Sequence, residues 1–160
     1  MLNTAITYVQ DQGAAEDISQ EVFITIYKSI LSFNEQSSLS TWIYRVTVNK
    51  CLDHLRAGAR QKRSGFLIQL FHRDSGAQLV EKPDFIHPGI VLEQRENSKY
   101  LFKALDKLPV NQKTAFILTH IEDLPQKEVA DIMNISVKAV ESILQRAKVN
   151  LRKYLADMKK

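Results

Sequence analysis

A single cysteine, Cys51, rules out an internal disulfide, and the four histidines, His54, His72, His87 and His120, lie in unrelated segments without the spacing of a zinc site. No metal and no other cofactor is expected, and the cysteine usage fits a reducing compartment, the cytoplasm. No stretch approaches the roughly 20 apolar residues that span a bilayer. The opening MLNTAITYVQDQG has neither a basic n-region nor an apolar h-region, so membrane insertion and secretion are not expected. Glycine is sparse, five in 160 residues, and the β-branched residues recur at helical rather than alternating spacing, which predicts a nearly all-α chain without strands. No nucleophile sits beside a base in a recognisable motif, and Glu122 with Asp123 is too small an acidic group for a metal-dependent nuclease. An enzyme with a small-molecule substrate is therefore not expected.

What is present is a chain able to bury a core, 44% apolar and 25% charged, with its charge in blocks. The net charge is −4 over residues 1–40, +6 over 41–73, −3 over 74–132 and +5 over 133–160. Two basic blocks separated by an acidic one suit two contacts with a polyanion such as nucleic acid; the alternative is a set of solvated helix faces.

The periodicity predicts a short helix from Thr4 to Gln10 broken near Gly13. A second runs from Ala14 to Leu31 with Ile18, Val22, Ile26 and Ile30 inward, and a third, capped by Ser40 or Thr41, runs to about Arg60 on a stripe of Tyr44, Val48, Cys51 and Leu55. From Gln61 to Gly89 the periodicity fails and Gly65, Gly76, Pro83, Pro88 and Gly89 punctuate the chain, which predicts a flexible interdomain linker able to span at most about 100 Å. Within it Phe66 to Phe71 is too apolar for a free tether and is expected to dock. Beyond it come a helix from Ile90 to Leu108 stopped by Pro109, another from Gln112 to His120, and a third from Gln126 to Met133 after Pro125. Asn134 suits a left-handed turn and Ser136 a cap for the last helix, which together make a helix-turn-helix. The expected fold is all-α, two small helical domains over 1–60 and 90–160 joined by the linker 61–89.

In the last helix Val140, Leu144, Ala147, Leu151 and Leu155 face inward, leaving Lys138, Glu141, Ser142, Gln145, Arg146, Lys148 and Arg152 outside. The first four lie in the turns of a recognition helix that meet base edges, whereas Arg146, Lys148 and Arg152 suit phosphates. The third helix carries Arg45, Asn49, Asp53, Arg56 and Arg60 opposite its apolar stripe, a face that could follow a nucleic-acid backbone, although Asp53 and Arg56 are also spaced to pair with each other. The polar loop from Asn34 to Ser40 has the small groups that could hold an extruded base.

These segments resemble a known family. AAEDISQEVFITIYKSI, STWIYRVTVNKCLDHLR and LPVNQKTAFILTHIEDLPQKEVADIMNISVKAVESILQRAKVNLRK are similar to region two and then region four of the extracytoplasmic-function (ECF) sigma factors of bacterial RNA polymerase. The resemblance implies a promoter-specificity subunit that catalyses no bond-making. It implies that Asp17, Gln20, Glu21, Ile24 and Lys28 grip the clamp helices of the polymerase β′ subunit, with the β flap a further contact. It assigns Asn34, Ser37, Ser38, Arg45, Asn49, Lys50, Arg56 and Arg60 to the minus-10 promoter element, and Lys127, Ser136, Lys138, Glu141, Ser142, Gln145, Arg146 and Lys148 to the minus-35 element. It implies an anti-sigma factor as a further partner and at least one region-two helix ahead of Met1. Ile143 stands where the family commonly has arginine, and Pro125 where it has a capping serine, so a different minus-35 preference is expected. The alternative is an autonomous dimeric helix-turn-helix regulator that binds DNA without polymerase.

Overall fold

The structure, a computed structural model, describes residues 1–34, 37–71 and 95–158, with side-chain surroundings for all of these except 61–71 and 95–98. The linker residues 72–89, the helix start expected at 90–94, Glu35 and Gln36 of the polar loop, and the docking of Phe66 to Phe71 lie outside what it describes. Among the described residues every regular element is helical: α1 (Leu2–Val9), α2 (Gln12–Ser29), α3 (Leu39–Phe71), α4 (Arg95–Asp106), α5 (Val110–Phe116), α6 (Gln126–Met133) and α7 (Val137–Met158). None of these helices is long and apolar enough to cross a membrane.

The break between α1 and α2 falls at Gln10 and Asp11, not at Gly13. Gln10 takes the left-handed conformation, φ 53°, to close α1, and the Asp11 carboxylate accepts the Ala14 N–H at 2.8 Å to start α2. A carboxylate that satisfies an orphan N–H sets a helix start more firmly than a neighbouring glycine does, and Gly13 sits inside the first turn. Ile18 and Val22 are buried and Ile26 packs on the core, but Ile30 is exposed because a 3-10 turn, Ile30–Ser32, shifts it off the stripe. Helix α3 is capped by Ser38, whose Oγ accepts the Thr41 N–H at 3.0 Å, rather than by Ser40 or Thr41. It continues past Arg60 to Phe71. Gly58 and Gly65 each cost only about 1 kcal/mol in a helix, and the first proline after them is Pro83, so nothing in the sequence forces a stop.

In the second half Pro109 stands immediately before α5 and starts it at Val110 rather than Gln112. Helix α5 then widens into a π turn, Ile117–Ile121, closed by the Glu122 N–H on the Ile117 oxygen at 3.0 Å. Helix α6, the turn and α7 follow the sequence pattern. Asn134 is left-handed at φ 54°, the Asn134 and Ile135 N–H groups return to the oxygens of Asp131 and Ala130, and Ser136 Oγ accepts the Ala139 N–H at 3.2 Å. This two-bond closure satisfies carbonyls that the end of α6 would leave orphaned.

The two modules pack on each other. One core takes Ala5, Tyr8, Val22, Val48 and Cys51 from the first half and Ala115, Leu118, Val129, Val140 and Leu144 from the second. A second core, Phe102, Leu105, Leu108, Ala147 and Leu151, fixes α4 against α7. Each large aliphatic side chain removed from water contributes about 1.5–3 kcal/mol, so these inward stripes decide which helix faces are left for partners.

Candidate polymerase and nucleic-acid interfaces

With Ala15, Ile18 and Val22 buried, the opposite side of α2 is presented to solvent. Asp17, Gln20, Glu21, Ile24 and Lys28 are all exposed on it. So are Phe23, Tyr27 and Leu31, with 65%, 77% and 98% of their surfaces open. An apolar row of that size on water is what a partner surface looks like before the partner arrives. The sequence carries its signal, a second i, i+4, i+8 series one residue out of phase with the core stripe of Ile18, Val22 and Ile26. Glu21 Oε2 also accepts from Lys50 Nζ at 3.1 Å, joining a residue expected on polymerase to one expected on DNA.

A polar cleft of about 410 Å³ opens between the end of α2, the loop after it and the start of α3. It is lined by Thr25, Ser29, Phe33, Asn34, Ser37, Trp42 and Arg45, and from the second module by Asn134. The Phe33 and Trp42 rings stand 5.3 Å apart and tilted by 38°, an aromatic wall of the kind on which a base stacks. The sequence pattern marks neither ring as functional: Phe33 opens the polar loop and Trp42 lies off the α3 stripe of Tyr44, Val48, Cys51 and Leu55. Ser38, which does not line the cleft, is occupied as the α3 cap and shares a second bond with Thr41 Oγ1 at 2.8 Å. Further along α3, Asn49, Arg56 and Arg60 are exposed, and Arg56 pairs with Asp53 at 3.0 Å, the local pairing that the spacing allowed.

On α7 the inward stripe is as expected, and Lys138, Glu141, Ser142, Gln145, Arg146, Lys148 and Arg152 are exposed together with Lys127 on α6 and Ser136 in the turn. Arg146 folds back along the helix, its Nε on the Ser142 oxygen and its Nη2 on Ser142 Oγ, both at 3.3 Å. That posture holds the guanidinium over the middle of the exposed face. Ile143 is half-buried against the core, which takes it out of the outward set.

Hydrogen bonds join the modules, one of them from a buried lysine that is also paired within its own module. Tyr44 donates its hydroxyl to Glu122 Oε2 at 3.0 Å, and burial, with the Glu122 carboxylate next, pushes the phenol up to about 12. Lys113 Nζ donates to the Tyr8 oxygen at 2.9 Å and to Asp106 Oδ1 at 2.7 Å. Among the described residues no group of three histidine, cysteine or acidic side chains converges as a metal site would.

Comparison with known proteins places these faces in a family. Residues 1–61 match the family model described as sigma-70 region 2 and residues 98–151 the one described as sigma-70 region 4. The chain is 32% identical over 146 residues to the ECF RNA polymerase sigma factor SigW of Bacillus subtilis, across 90% of this chain and 76% of the relative. In fold it is similar to the sigma factor RpoE in complex with the anti-sigma factor NepR from Bartonella quintana, with a TM-score of 0.71, 20% identity and coverage of 97% of this chain and 89% of that one. It is also similar to CnrH in complex with the cytosolic domain of CnrY, with a TM-score of 0.66, 19% identity and coverage of 98% and 80%. The two matched regions, in that order and over more than two thirds of the chain, do not favour an isolated helix-turn-helix regulator. The chain belongs to the ECF sigma factors, the promoter-specificity subunits of bacterial RNA polymerase.

Proposed function

We propose that the chain divides its work among three faces, with residues 1–60 acting as the region-two unit and 90–160 as the region-four unit. The outer face of α2, Asp17, Gln20, Glu21, Ile24 and Lys28 enlarged by Phe23, Tyr27 and Leu31, meets the clamp helices of core polymerase. The cleft beside Phe33, Asn34, Ser37 and Trp42 takes a base extruded from the minus-10 element, while Arg45, Asn49, Lys50, Arg56 and Arg60 follow its backbone. Unstacking a base costs a few kcal/mol, and a preformed polar cleft with an aromatic wall offsets that cost. The exposed face of α7 reads the minus-35 element in the major groove, and the β flap meets region four. The chain itself makes and breaks no covalent bond, and it works in the cytoplasm beside polymerase.

The observation that carries this reading is the α7 face. Seven polar or charged side chains stand outward on the second helix of a helix-turn-helix whose inward stripe packs into the core. An anti-sigma protein that covers these surfaces is the further partner proposed, supported by the solved structure of similar fold in which the sigma factor RpoE is bound to the anti-sigma factor NepR. The test is run-off transcription by core polymerase on a promoter pool with and without this chain. Promoter-directed transcripts that depend on the chain are expected; their absence would remove the reading. Gel filtration and binding to free duplex check the alternative of a dimeric regulator.

A further inference from the structure

The cleft beside Phe33 and Trp42 does not end at Arg45. A second polar hollow, of about 400 Å³, adjoins it, bordered on its far side by Asp131 and Ser136, and the two share Ser37, Arg45 and Asn134. Arg45 therefore stands at their junction. Its Nη2 donates to the Asp131 main-chain oxygen at 2.6 Å, while its Nε is buried and has no hydrogen-bond partner among the described residues. No carboxylate pairs with the guanidinium in the ion pairs among those residues. A guanidinium keeps its charge at any pH the chain meets, and a charged N–H shut away from water is costly until an acceptor arrives. Helix α7 begins just after Ser136, whose Oγ holds the Ala139 N–H, so the positive end of a 22-residue helix borders the second hollow as well.

The two hollows differ in chemistry. The first has the Phe33 and Trp42 rings, 5.3 Å apart, as an apolar wall within a lining of serine, threonine and asparagine. The second is polar and has the cation at its mouth. A flat ring suits one and an anion the other, and a nucleotide joins the two within one small molecule. We infer that this double cleft is a binding site for a free nucleoside monophosphate, with its base against Phe33 and Trp42 and its phosphate on Arg45 between Ser37 and Asn134. The lining also limits the charge. Among the described residues Arg45 is its sole cation and Asp131 its sole acid, so a second or third phosphate adds repulsion without a further cation to meet it. A triphosphate is thus the poorer ligand. The site goes beyond the promoter assignment: a free nucleotide competes with an extruded base for the same rings, but neither needs the other in order to bind.

Trp42 is the sole tryptophan of the chain, so its fluorescence, excited at the red edge where nucleotides do not absorb, reports occupancy on the full chain without polymerase or DNA. AMP, GMP, CMP and UMP are titrated in turn, each beside its nucleoside and its triphosphate. Saturable quenching by at least one monophosphate is expected, with its nucleoside and its triphosphate each bound at least about tenfold more weakly. Arg45→Gln should weaken the monophosphate by about tenfold or more. Asn134→Gly, which keeps the left-handed turn and deletes the carboxamide, should weaken it by about threefold. Asp131→Asn should tighten it by about threefold, because the one acid of the lining is gone. No saturable quenching by any of the four up to about 5 mM overturns the site. Equal binding of nucleoside and monophosphate, or an Asp131→Asn chain that binds no tighter, overturns the phosphate position and with it the assignment to nucleotides. Should Arg45→Gln fail to fold, the ligand series and Asp131→Asn decide. Promoter-directed transcription is read separately: its absence removes the promoter reading and leaves the quenching standing, whereas absent quenching leaves the transcripts in place.

Discussion

The ammonium of Lys113 lies 2.9 Å from the main-chain oxygen of Tyr8, although Lys113 and Tyr8 are 105 residues apart and belong to different modules. The lysine side chain is only 8% exposed, and a buried charge persists only where hydrogen bonds replace its water. Here the Tyr8 oxygen and the Asp106 carboxylate do so, with the Tyr8 ring 5.9 Å away. This contact ties the end of α1 to α5, and it makes the packing of the modules specific rather than merely apolar.

Lys113→Met should therefore destabilise the chain by about 1.5–3 kcal/mol, the range for a hydrogen bond to a charged group, read as a lower urea midpoint. Asp106→Asn should cost less, because its carboxylate is 43% exposed and water takes over when the pair is lost. Equal losses for the two would show that the Tyr8 carbonyl contributes nothing.

The α2 face separates binding from stability. Tyr27 and Leu31 bury little within this chain, so Tyr27→Ala with Leu31→Ala should leave thermal unfolding within about 0.5 kcal/mol of the parent. Capture of core polymerase should fall by at least about tenfold, since large apolar side chains at the centre of an interface carry most of its energy. Capture at parental strength, with folding intact, would take this row out of the interface.

Much of this was legible in the sequence, for reasons visible in particular residues. The α7 stripe and Asn134 were readable because period 3.6 and a left-handed turn leave local marks. The ends of α2, α3 and α5 were not: each was decided by a contest between cap candidates, Asp11 against Gly13, Ser38 against Ser40 or Thr41, and Pro109 against Gln112. Small differences in hydrogen-bond geometry settle such contests. The cleft proposed for a base was half legible. Its polar loop stood out by composition, but Phe33 and Trp42 take their role from a 5.3 Å approach that no spacing encodes. The contacts of Arg45 with Asp131 and Lys113 with Tyr8 left no trace, because partners 86 and 105 residues apart become neighbours only through the packed core.

Alkaline pH should loosen the fold. Burial pushes the Cys51 thiol up to about 12 from an ordinary value near 9.0, with Lys113 opposing, and Tyr8 and Tyr44 are raised in the same sense by burial. A group raised in the folded state contributes its full stability below its unfolded value and loses it as pH climbs toward the folded one. For Cys51 the loss runs from about pH 9 to 12, at up to about 1.4 kcal/mol per pH unit. Urea midpoints should fall between pH 8 and 10.5, and Cys51→Ala should reduce that slope while lowering the midpoint at pH 8 through the lost packing. An identical slope in Cys51→Ala would assign the loss to the tyrosines alone.

The α7 face should split into two roles that salt distinguishes. Lys148 is exposed with no acceptor beside it among the described hydrogen bonds and ion pairs, and a free ammonium on a helix flank meets phosphate as a point charge. Removing one such contact releases one fewer counterion, so Lys148→Ala should weaken binding similarly on every sequence and flatten the plot of log K against log salt by about 0.9. Gln145 carries no charge and sits nearer the amino end, where side chains meet base edges. Gln145→Ala should leave the salt slope unchanged and shift discrimination at one position by about 1–3 kcal/mol. Arg146 stands between the two, because its bonds to Ser142 position it before DNA arrives. Ser142→Ala should thus reduce affinity through Arg146 without changing the slope, and a salt slope that moved equally for Lys148→Ala, Gln145→Ala and Ser142→Ala would dissolve the division of labour along this helix.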